Sequence, residues 1–546
     1  MGIQKITIEN FKGFEGRFSL ELNPGMNILV GDNETGKTTI LQAIHLALTG
    51  YYEGQNIRRV LSPYLFNQKV VQNYIDGVNS KKIPMPEPPK IIIDVYFDSI
   101  NSTFEGNGNL ENEDQVQGIQ LSIAFDEKYK KEYEDFLKGE ISSLPIEYYS
   151  VTWTTFARAQ ITTYSIPIKS VLIDSSTYQY QNGSDVFVAR IVRNLLDPGD
   201  VAKLRKAHRQ LIDDFTREDI IDQINKKIGQ QISSVTQRVE LRGNQGNLDS
   251  WQDNVTTQIA GIPFAYVGKG TQCILKTELA LGHPNTEKAT VILLEEPESH
   301  LSYSNLNILT NAITQKYSGK QIIVSTHSSF VANKLGLEHL ILLKNHKTIK
   351  INELKAAPYF QALAGYDTLR FILCKRAILV EGASDELVVQ RAYMDNHEGR
   401  LPIEDGVDVI SVNGLAFLRY LEIAEKLNIV TAVVSDNDGD IDAVRKKYQN
   451  YIEGNKKDNI QICIDQVVDK EPGEIDGKTF NCNTLEPKLL KANDLETLNK
   501  VLGKKYEDET KLLKHMHSEK TACALKIFRS SEKIKYPEYI LKAINI

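Results

Sequence analysis

One recurring local pattern constrains the fold of this chain more than any other: a short apolar run that ends abruptly in polar residues. The middle of the chain contains "VILLEEPE" and "IIVSTHSS", and the C-terminal part contains "AILVEG", "VISVNG" and "VVSDNDGD". Segments with helical spacing, such as "SDELVVQRAYMDN" and "AFLRYLEIAEKL", separate the later runs. Strands that alternate with helices form parallel sheets, and ligands collect outside the carboxyl ends of such strands. The pattern therefore predicts an α/β protein whose chemistry lies at these strand ends.

Length and charge limit the classes of protein that fit this pattern. The chain has 546 residues, enough for about two to four domains. Its net charge of −7 gives no global attraction to nucleic acid, so DNA binding would depend on a local basic groove or on bound cations. Five scattered cysteines without a CxxC pair indicate a reducing, cytoplasmic protein without a zinc site. We expect no membrane span, because no run approaches roughly 18 apolar residues, and no signal peptide.

The stretch "GDNETGKTT", at residues 31–39, has the pattern of a phosphate-binding loop. A predicted strand precedes it and a predicted helix follows it, as such a loop requires. Its two glycines allow a tight turn that exposes N–H groups to phosphate, and the helix N-terminus adds attraction. Lys37 would contact the β- and γ-phosphates, and the Thr38 hydroxyl would hold Mg²⁺. The predicted ATP-binding residues of this loop are Gly31, Asn33, Gly36, Lys37, Thr38 and Thr39.

Three later elements complete a predicted nucleotide site. A buried strand delivers Glu295 and Glu296 to its end, where one carboxylate can reach Mg²⁺ and the next can orient the attacking water. His327, after the following apolar run, can hydrogen-bond a phosphate or that water. Gly268 and Gly270, in "VGKGTQ", precede a helix and offer backbone donors to phosphate. Each element alone has a structural alternative, but the three follow the phosphate loop in a fixed order.

Together these elements resemble the ATP-binding-cassette (ABC) type of ATPase. The resemblance implies that Glu296 is the catalytic glutamate and His327 the switch histidine. It also implies that "VGKGTQ" is the signature loop that contacts the nucleotide of a second subunit, so we expect a homodimer or higher homo-oligomer. Two departures stand out: Glu295 replaces the usual aspartate, and the signature loop lacks its leading serine. No sustained heptads separate the two halves of the head, so a long coiled-coil arm is not expected.

A second set of acidic residues follows two later apolar runs. Glu381 and Asp385 come after "AILV", and Asp436 and Asp438 come after "AVVS". Adjacent parallel strands would bring these four carboxylates to one edge, and two residues that are two apart on an extended segment point the same way. Carboxylates without Cys or His favour Mg²⁺ or Mn²⁺, and several suit two ions. The segment is not an EF-hand loop, because Ile441 occupies the position that needs glycine. A solvated turn is the alternative to a metal site.

The pattern E-G-x-x-D followed by D-x-D-G resembles the Toprim domain. An ABC-type head followed by Toprim in one chain is the arrangement of the OLD ("overcoming lysogenization defect") nucleases, and the Gabija nuclease subunit and retron-associated OLD effectors share it. The resemblance implies that Glu486, in "NTLEPKL", is a further metal ligand. It also implies that Lys520, in "HSEKTACALKI", activates water or stabilises phosphate charge. The alternative for Lys520 is a solvated surface lysine, and we interpret His515 and His517 as surface histidines.

The expected domain order is a head interrupted by a helical insertion and followed by Toprim. The predicted boundaries are 1–184 and 259–370 for the two parts of the ATPase head, 185–258 for the insertion and 371–546 for the Toprim domain. The insertion is either a lid or spacer, or a dimerisation arm.

The OLD resemblance implies an ATP-binding, metal-dependent DNA endonuclease or nickase in bacterial anti-phage defence. Its partners would be DNA and a helicase, or a reverse transcriptase with its DNA product. The alternatives are a non-catalytic ATP sensor that grips nucleic acid and a RecF-like repair ATPase.

Overall fold

The predicted strand ends lie on two parallel sheets, one in each of two units of the computed structural model. The first unit comprises residues 1–335 and 339–348, and the second comprises residues 336–338 and 349–546. The predicted boundary at residue 371 falls within a helix, Tyr366–Leu373. The structure describes residues 2–98, 101–174, 198–231, 239–244, 251, 258–281, 289–299, 301–316, 319–344, 347–350, 366–412, 417–452, 454–469, 473–475 and 478–546.

The part of the chain up to residue 350 contributes seventeen described strands. They are β1 Ile3–Glu9, β2 Arg17–Glu21, β3 Met26–Gly31, β4 Tyr51–Tyr52, β5 Gln55–Asn56, β6 Ile91–Phe97, β7 Glu105–Gly106, β8 Val116–Phe125, β9 Tyr149–Thr155, β10 Gln160–Ile161, β11 Ser170–Asp174, β12 Gln258–Ile259, β13 Ile262–Pro263, β14 Val291–Glu295, β15 Gln321–Ser325, β16 Leu340–Lys344 and β17 Lys347–Lys350. One sheet is antiparallel, in the order β10-β9-β8-β6-β1-β2, with β7 paired to β8.

The second sheet of this unit positions the nucleotide residues. Its order is β11-β14-β15-β3-β16-β17, and the described pairings among the first five strands are parallel. Every residue of β14 and β15 is buried. Full burial of each Val, Leu or Ile side chain contributes about 1.5–3 kcal/mol, which offsets the cost of holding charged residues at the strand ends. Because β3, β14 and β15 are parallel neighbours, the polar residues that follow them reach the same edge.

Nine described helices belong to this part of the chain. They are α1 Lys37–Thr49, α2 Ile57–Val60, α3 Gln68–Asn79, α4 Lys130–Phe136, α5 Pro198–Thr216, α6 Asp219–Gln231, α7 Lys269–Leu281, α8 Tyr303–Lys316 and α9 Ser329–Leu335. Helix α1 packs between the two sheets with Ile40, Leu41 and Ile44 fully buried in one apolar core. The described helices of the predicted insertion, α5 and α6, have 19 and 13 residues.

The second unit contains a four-stranded parallel sheet. Its strands are β18 Arg376–Val380, β19 Val407–Ser411, β20 Val430–Ser435 and β21 Ile460–Ile464, and a two-stranded ribbon adds β22 Gly473–Ile475 and β23 Lys478–Phe480. The order β19-β18-β20-β21 makes β18 and β20 direct neighbours. The α/β prediction is therefore confirmed, and the two acid-bearing strands lie side by side.

Nine helices are described in the second unit. They are α10 Tyr366–Leu373, α11 Ala383–Asn396, α12 Phe417–Leu427, α13 Ile441–Lys447, α14 Leu485–Ala492, α15 Leu495–Leu502, α16 Glu509–Ser518, α17 Lys520–Arg529 and α18 Glu538–Ala543. Their apolar faces share one core with the sheet, to which Ile378, Leu489 and Ile540 contribute. Among all described residues, no helix is both long and apolar enough to cross a membrane.

Candidate functional site

The phosphate-binding loop connects the end of β3 to the start of α1. Gly36 precedes the helix with φ of 95°, and a Cβ there would lie 2.5 Å from the Phe14 ring. A Cβ at Gly31 would lie 2.5 Å from the Leu343 carbonyl oxygen, so both positions require glycine. The Lys37 ammonium group donates to the carbonyls of Gly31 at 2.9 Å and Asp32 at 2.8 Å, and burial lowers its pKa. The loop is thus folded around a buried cation, as a phosphate site requires.

Thr38 and Glu295 meet across the sheet edge. The Thr38 hydroxyl donates to Glu295 Oε1, although the residues are 257 positions apart. Glu295 is the last residue of β14 and is only 6% exposed. A hydroxyl beside a carboxylate at the start of the helix is the donor set that Mg²⁺ takes in phosphate-loop sites. These residues fit the predicted magnesium and nucleotide, and their roles stay a prediction.

Glu296 and His327 are also brought together, as the order of the elements predicted. Glu296 follows β14 with φ of 41°, an uncommon left-handed conformation for a non-glycine residue. Its Oε1 lies 3.5 Å from His327 Nε2, and its N–H donates to the Ser325 carbonyl at 3.0 Å. The turn therefore aims the carboxylate at the histidine that follows the neighbouring strand.

Glu298, which the sequence motifs did not predict, organises the loop that carries His327. Its Oε1 accepts hydrogen bonds from the Thr326 hydroxyl at 2.6 Å, the His327 N–H at 2.9 Å and the Ser328 N–H at 3.1 Å. A carboxylate that accepts several backbone donors fixes the loop that carries them. The available signal was the third acid of "EEPE", which follows the strand at the same edge.

The predicted signature loop lies at the start of α7. Gly268 is exposed and Gly270 lies in the first turn. The Gln272 amide holds the loop by donating to the carbonyls of Phe264 at 2.7 Å and Val267 at 2.9 Å. In the described part of the chain, none of these contacts reaches the phosphate loop.

The acidic pocket forms at the carboxyl ends of β18 and β20. Glu381 directly follows β18, and Asp436 directly follows β20. Asp385 lies in the first turn of α11, where its Oδ2 accepts the Gly382 N–H at 3.1 Å. The buried side chain of Glu486, in the first turn of α14, adds a further carboxylate. These residues come from four elements, and the parallel sheet gathers them at one edge.

The carboxylates of this pocket influence one another electrostatically. Burial, followed by the charges of Glu381 and Glu486, raises the pKa of Asp385 to about 6. Burial, followed by the charge of Asp385, raises the pKa of Asp436 to about 8. Burial and then Asp438 also raise the pKa of Glu381. Each carboxylate thus lacks enough positive charge around it, and a cation would relieve the repulsion.

Asp438 differs from the sequence prediction. It does not continue an extended segment with Asp436, because β20 ends at Ser435 and Asp438 has φ of 49°. Between them Asn437 is fully buried, and its amide donates to the carbonyls of Asp465 at 3.0 Å and Val467 at 2.8 Å. The prediction of one extended segment is therefore wrong, because this inward-facing amide turns the chain. Asp438 still acts on Glu381 and Asp436 through its charge.

Lys520 lies beside this pocket. It starts α17, and its Nζ lies 3.5 Å from Glu486 Oε2. Its side chain is 43% exposed, whereas that of Glu486 is 6% exposed. Lys520 also acts electrostatically on Glu381. His515 and His517 make ring contacts with Tyr506 and Phe480.

The donor chemistry of the pocket fits a hard divalent cation, because all its predicted ligands are carboxylates. Within the described ranges, however, no three His, Cys, Asp or Glu side chains are placed to hold one metal ion. The predicted ligands therefore interact electrostatically but do not form a preformed coordination shell. They are Glu381, Asp385, Asp436, Asp438 and Glu486. The metal site stays a prediction.

A tyrosine from the last helix completes the pocket and was not predicted. The Tyr539 hydroxyl donates to Asp436 Oδ1 at 2.9 Å across 103 positions of sequence. Tyr539 is 3% exposed. Nothing in the local sequence indicates this contact, since a tyrosine in an apolar helix normally indicates core packing.

Comparisons with known proteins match both parts of the chain. A family model described as an AAA domain matches residues 5–242, and one described as "AAA domain, putative AbiEii toxin, Type IV TA system" matches residues 189–333. A model described as "Overcoming lysogenization defect protein-like, TOPRIM domain" matches residues 372–438. The class is therefore an ATPase head joined to a Toprim domain. Residues 372–438 are thus similar to the Toprim domain of overcoming-lysogenization-defect proteins, as the motifs predicted.

Curated relatives match only locally. The DNA replication and repair protein RecF of Lachnoclostridium phytofermentans is 40% identical over 62 residues, which cover 11% of this chain and 17% of the relative. RecF of Lactococcus lactis subsp. cremoris is 46% identical over 50 residues, 9% of this chain and 14% of the relative. The chain thus matches less than a fifth of the length of each.

Solved structures also resemble part of the chain. The SMC head domain from Thermotoga maritima is 13% identical with a TM-score of 0.30, over 64% of this chain and 99% of that one. A structure of the recombination mediator protein RecF-ATPrS in the RecFOR pathway is 12% identical with a TM-score of 0.31, over 64% of this chain and 98% of that one.

Proposed function

We propose that this protein is an ATP-binding, divalent-metal-dependent DNA endonuclease or nickase of the OLD type. One observation carries the proposal: Glu381, Asp385, Asp436 and Glu486 gather at one edge of a parallel sheet, with Lys520 beside them. Carboxylates that repel one another in a partly buried pocket are costly without a cation. A phosphodiester nuclease is the function that makes use of such a pocket.

Divalent ions, when bound there, would supply positive charge that receives the phosphate backbone and lowers the pKa of a water molecule. The predicted ligands are Glu381, Asp385, Asp436, Asp438 and Glu486, with Mg²⁺ or Mn²⁺ as the ion and two ions as the expected number. Lys520 would hold a positive charge next to the reacting phosphate. Lys447, which acts electrostatically on Glu381, would add attraction for the DNA backbone.

The head would bind ATP with Lys37 on its phosphates and Thr38 and Glu295 on its magnesium. Glu296 would orient the attacking water, with His327 next to it at 3.5 Å. The exposed N-terminus of α7, with Gly268 and Gly270, supports a head dimer in which this loop contacts the nucleotide of the second subunit. The helical insertion would serve either as the dimerisation arm or as a lid.

The biological setting follows from the family resemblance alone. We propose a cytoplasmic role in bacterial anti-phage defence. A helicase, or a reverse transcriptase with its DNA product, would be the partner that supplies or exposes the DNA.

The test is cleavage by the purified full chain. Supercoiled plasmid, linear duplex and single-stranded DNA are each incubated with Mg²⁺ or Mn²⁺, with and without ATP, and ATP hydrolysis is measured in parallel. We expect metal-dependent cutting that Asp438→Ala abolishes without changing ATP hydrolysis. Asp442→Ala, an exposed acid of the next helix, is the matched control and should cut normally.

A second candidate is a RecF-like repair ATPase, which the local RecF identity favours. Such a protein needs the head but no second acidic pocket. ATP hydrolysis without DNA cutting under every metal and nucleotide condition, together with a silent Asp438→Ala, would favour it over the nuclease.

A further inference from the structure

The end of the chain reaches into the acidic pocket through one side chain. Tyr539 lies in α18, and its hydroxyl donates to Asp436 Oδ1 at 2.9 Å. In the described part of the chain, this is the one hydrogen bond that the Asp436 carboxylate accepts. The last helix therefore controls one oxygen of a central acid in the pocket.

Packing holds this tyrosine in place. Helix α18 begins after Pro537 and packs on β20 and β21. Its neighbours Ile540 and Ala543 are fully buried in the core of the second unit. A side chain that is itself fixed by packing can restrict the orientation of the group it contacts.

The chemistry of the donor suits a carboxylate that must also face a cation. A phenol hydroxyl binds one carboxylate oxygen without adding a charge, whereas a lysine at that place would neutralise the acid. Lys488, which lines a cavity of about 250 Å³ together with Tyr539, is held by Asp465 at 2.7 Å and Asp469 at 3.1 Å. Its charge is thus committed to those two acids.

We propose that Tyr539 is a positioning residue of the carboxylate pocket, which fixes Asp436 through one oxygen and leaves the other oxygen for a divalent ion. The inference rests on the proposed function, since it assigns the last helix to the same pocket. Partners that orient a metal ligand typically change metal affinity by about 10- to 100-fold when they are removed. The C-terminal helix is then part of the site and not only of the core.

The chain offers a matched control on the same segment. Tyr536 is 7% exposed, and its hydroxyl donates to Asp395, which also pairs with Arg391 at 2.8 Å. Tyr536→Phe and Tyr539→Phe each remove one hydroxyl that binds a carboxylate. Only the second touches the acidic pocket.

The experiment measures Mn²⁺ binding to the full chain without nucleotide by calorimetry, for wild type, Tyr539→Phe, Tyr536→Phe and Asp436→Asn. We expect Asp436→Asn to abolish Mn²⁺ binding at the acidic pocket. Tyr539→Phe should weaken the same binding by about 10-fold. The Mn²⁺ concentration for half-maximal DNA cutting should rise by the same factor, and saturating Mn²⁺ should restore most of the rate. Tyr536→Phe should change neither value. The rise in melting temperature on adding Mn²⁺ gives a second measurement if a variant is less stable.

Three results would separate the possibilities. Equal Mn²⁺ affinity of the two phenylalanine variants would make Tyr539 a purely structural residue and overturn the inference. The inference would also be overturned if wild type and Asp436→Asn bound Mn²⁺ equally, or if neither bound it. The third result is that Tyr539→Phe binds Mn²⁺ more weakly than wild type, but wild type cuts no DNA. This result would support the positioning role and contradict the proposed nuclease function.

Discussion

Lys520 Nζ lies 3.5 Å from Glu486 Oε2, so the first residue of α17 meets the first turn of α14. The lysine is the more exposed partner, and the carboxylate is almost buried. The pair therefore presents a positive charge at the rim of a negative pocket. This arrangement would suit a residue that meets a phosphate, and a surface lysine paired with Glu486 is the alternative.

Lys520→Ala should reduce DNA cutting on the order of 100-fold, because a positioned acid, base or charge typically contributes at least that much to the rate. Lys520→Arg should retain part of the activity. The measurement is the initial rate of plasmid nicking at saturating Mn²⁺. Lys533→Ala, at an exposed position of the same C-terminal region, should behave as wild type; if Lys520→Ala does too, Lys520 is a surface lysine.

Lys37→Ala should weaken ATP binding by roughly 10- to 100-fold, since it removes a charged hydrogen-bond donor to phosphate. The Toprim unit has its own core, so metal-dependent cutting without ATP should persist. Equilibrium binding of a fluorescent ATP analogue and plasmid cleavage are measured on the same preparation. Exposed Lys130→Ala is the control. If Lys37→Ala lost both DNA cutting and its folded structure, the prediction of two independent sites would be contradicted.

Glu298→Ala should lower the rate of ATP hydrolysis by up to about 100-fold with little change in ATP binding. The carboxylate accepts three hydrogen bonds from the Thr326–Ser328 loop, and small displacements of positioned groups can cost that much in rate. Steady-state hydrolysis and nucleotide affinity separate the two effects. Glu298→Gln keeps one acceptor oxygen and should lie between wild type and Glu298→Ala. An equal loss of affinity would show instead that the phosphate loop itself is disturbed.

Asp94 predicts a pH dependence of head stability. It is fully buried in β6, and burial raises its pKa to about 7. An acid whose pKa is higher in the folded state stabilises the protein only while it stays protonated. The free energy of unfolding should therefore fall as the pH rises from the unfolded pKa of about 4 to about 7, by at most about 4 kcal/mol. Asp94→Asn should remove this slope, because asparagine does not titrate. Its side-chain oxygen can still accept from the Leu110 N–H, which donates to Asp94 Oδ2 at 2.6 Å.

Denaturant unfolding at pH 5 to 8 checks this prediction. The two tryptophans of the chain, Trp153 and Trp251, both lie in the first unit, so their fluorescence follows the unfolding of that unit. Exposed Asp114→Asn is the control and should keep the wild-type slope. If the difference in unfolding free energy between wild type and Asp94→Asn stays constant from pH 5 to 8, Asp94 is ionised in the folded protein and the prediction is wrong.

Much of the fold follows from local patterns that the sequence states directly. Buried strands such as β14 and β20 are apolar runs with polar ends, and the glycines of the phosphate loop stand where a Cβ would collide. The carboxylates at Glu381 and Asp436 directly follow their strands, so parallel pairing alone predicts that they meet. Such features depend on residues close together in the chain.

The sequence by itself thus determined the two α/β units, the nucleotide loop and most of the acidic pocket, because each is encoded in a short segment. Only the tertiary structure decided that Tyr539 holds Asp436, that Glu298 holds the His327 loop, and that Asn437 turns the chain before Asp438. The physical reason is that these contacts join side chains far apart in sequence or depend on which way a buried amide faces. Packing selects them, and no local pattern specifies packing.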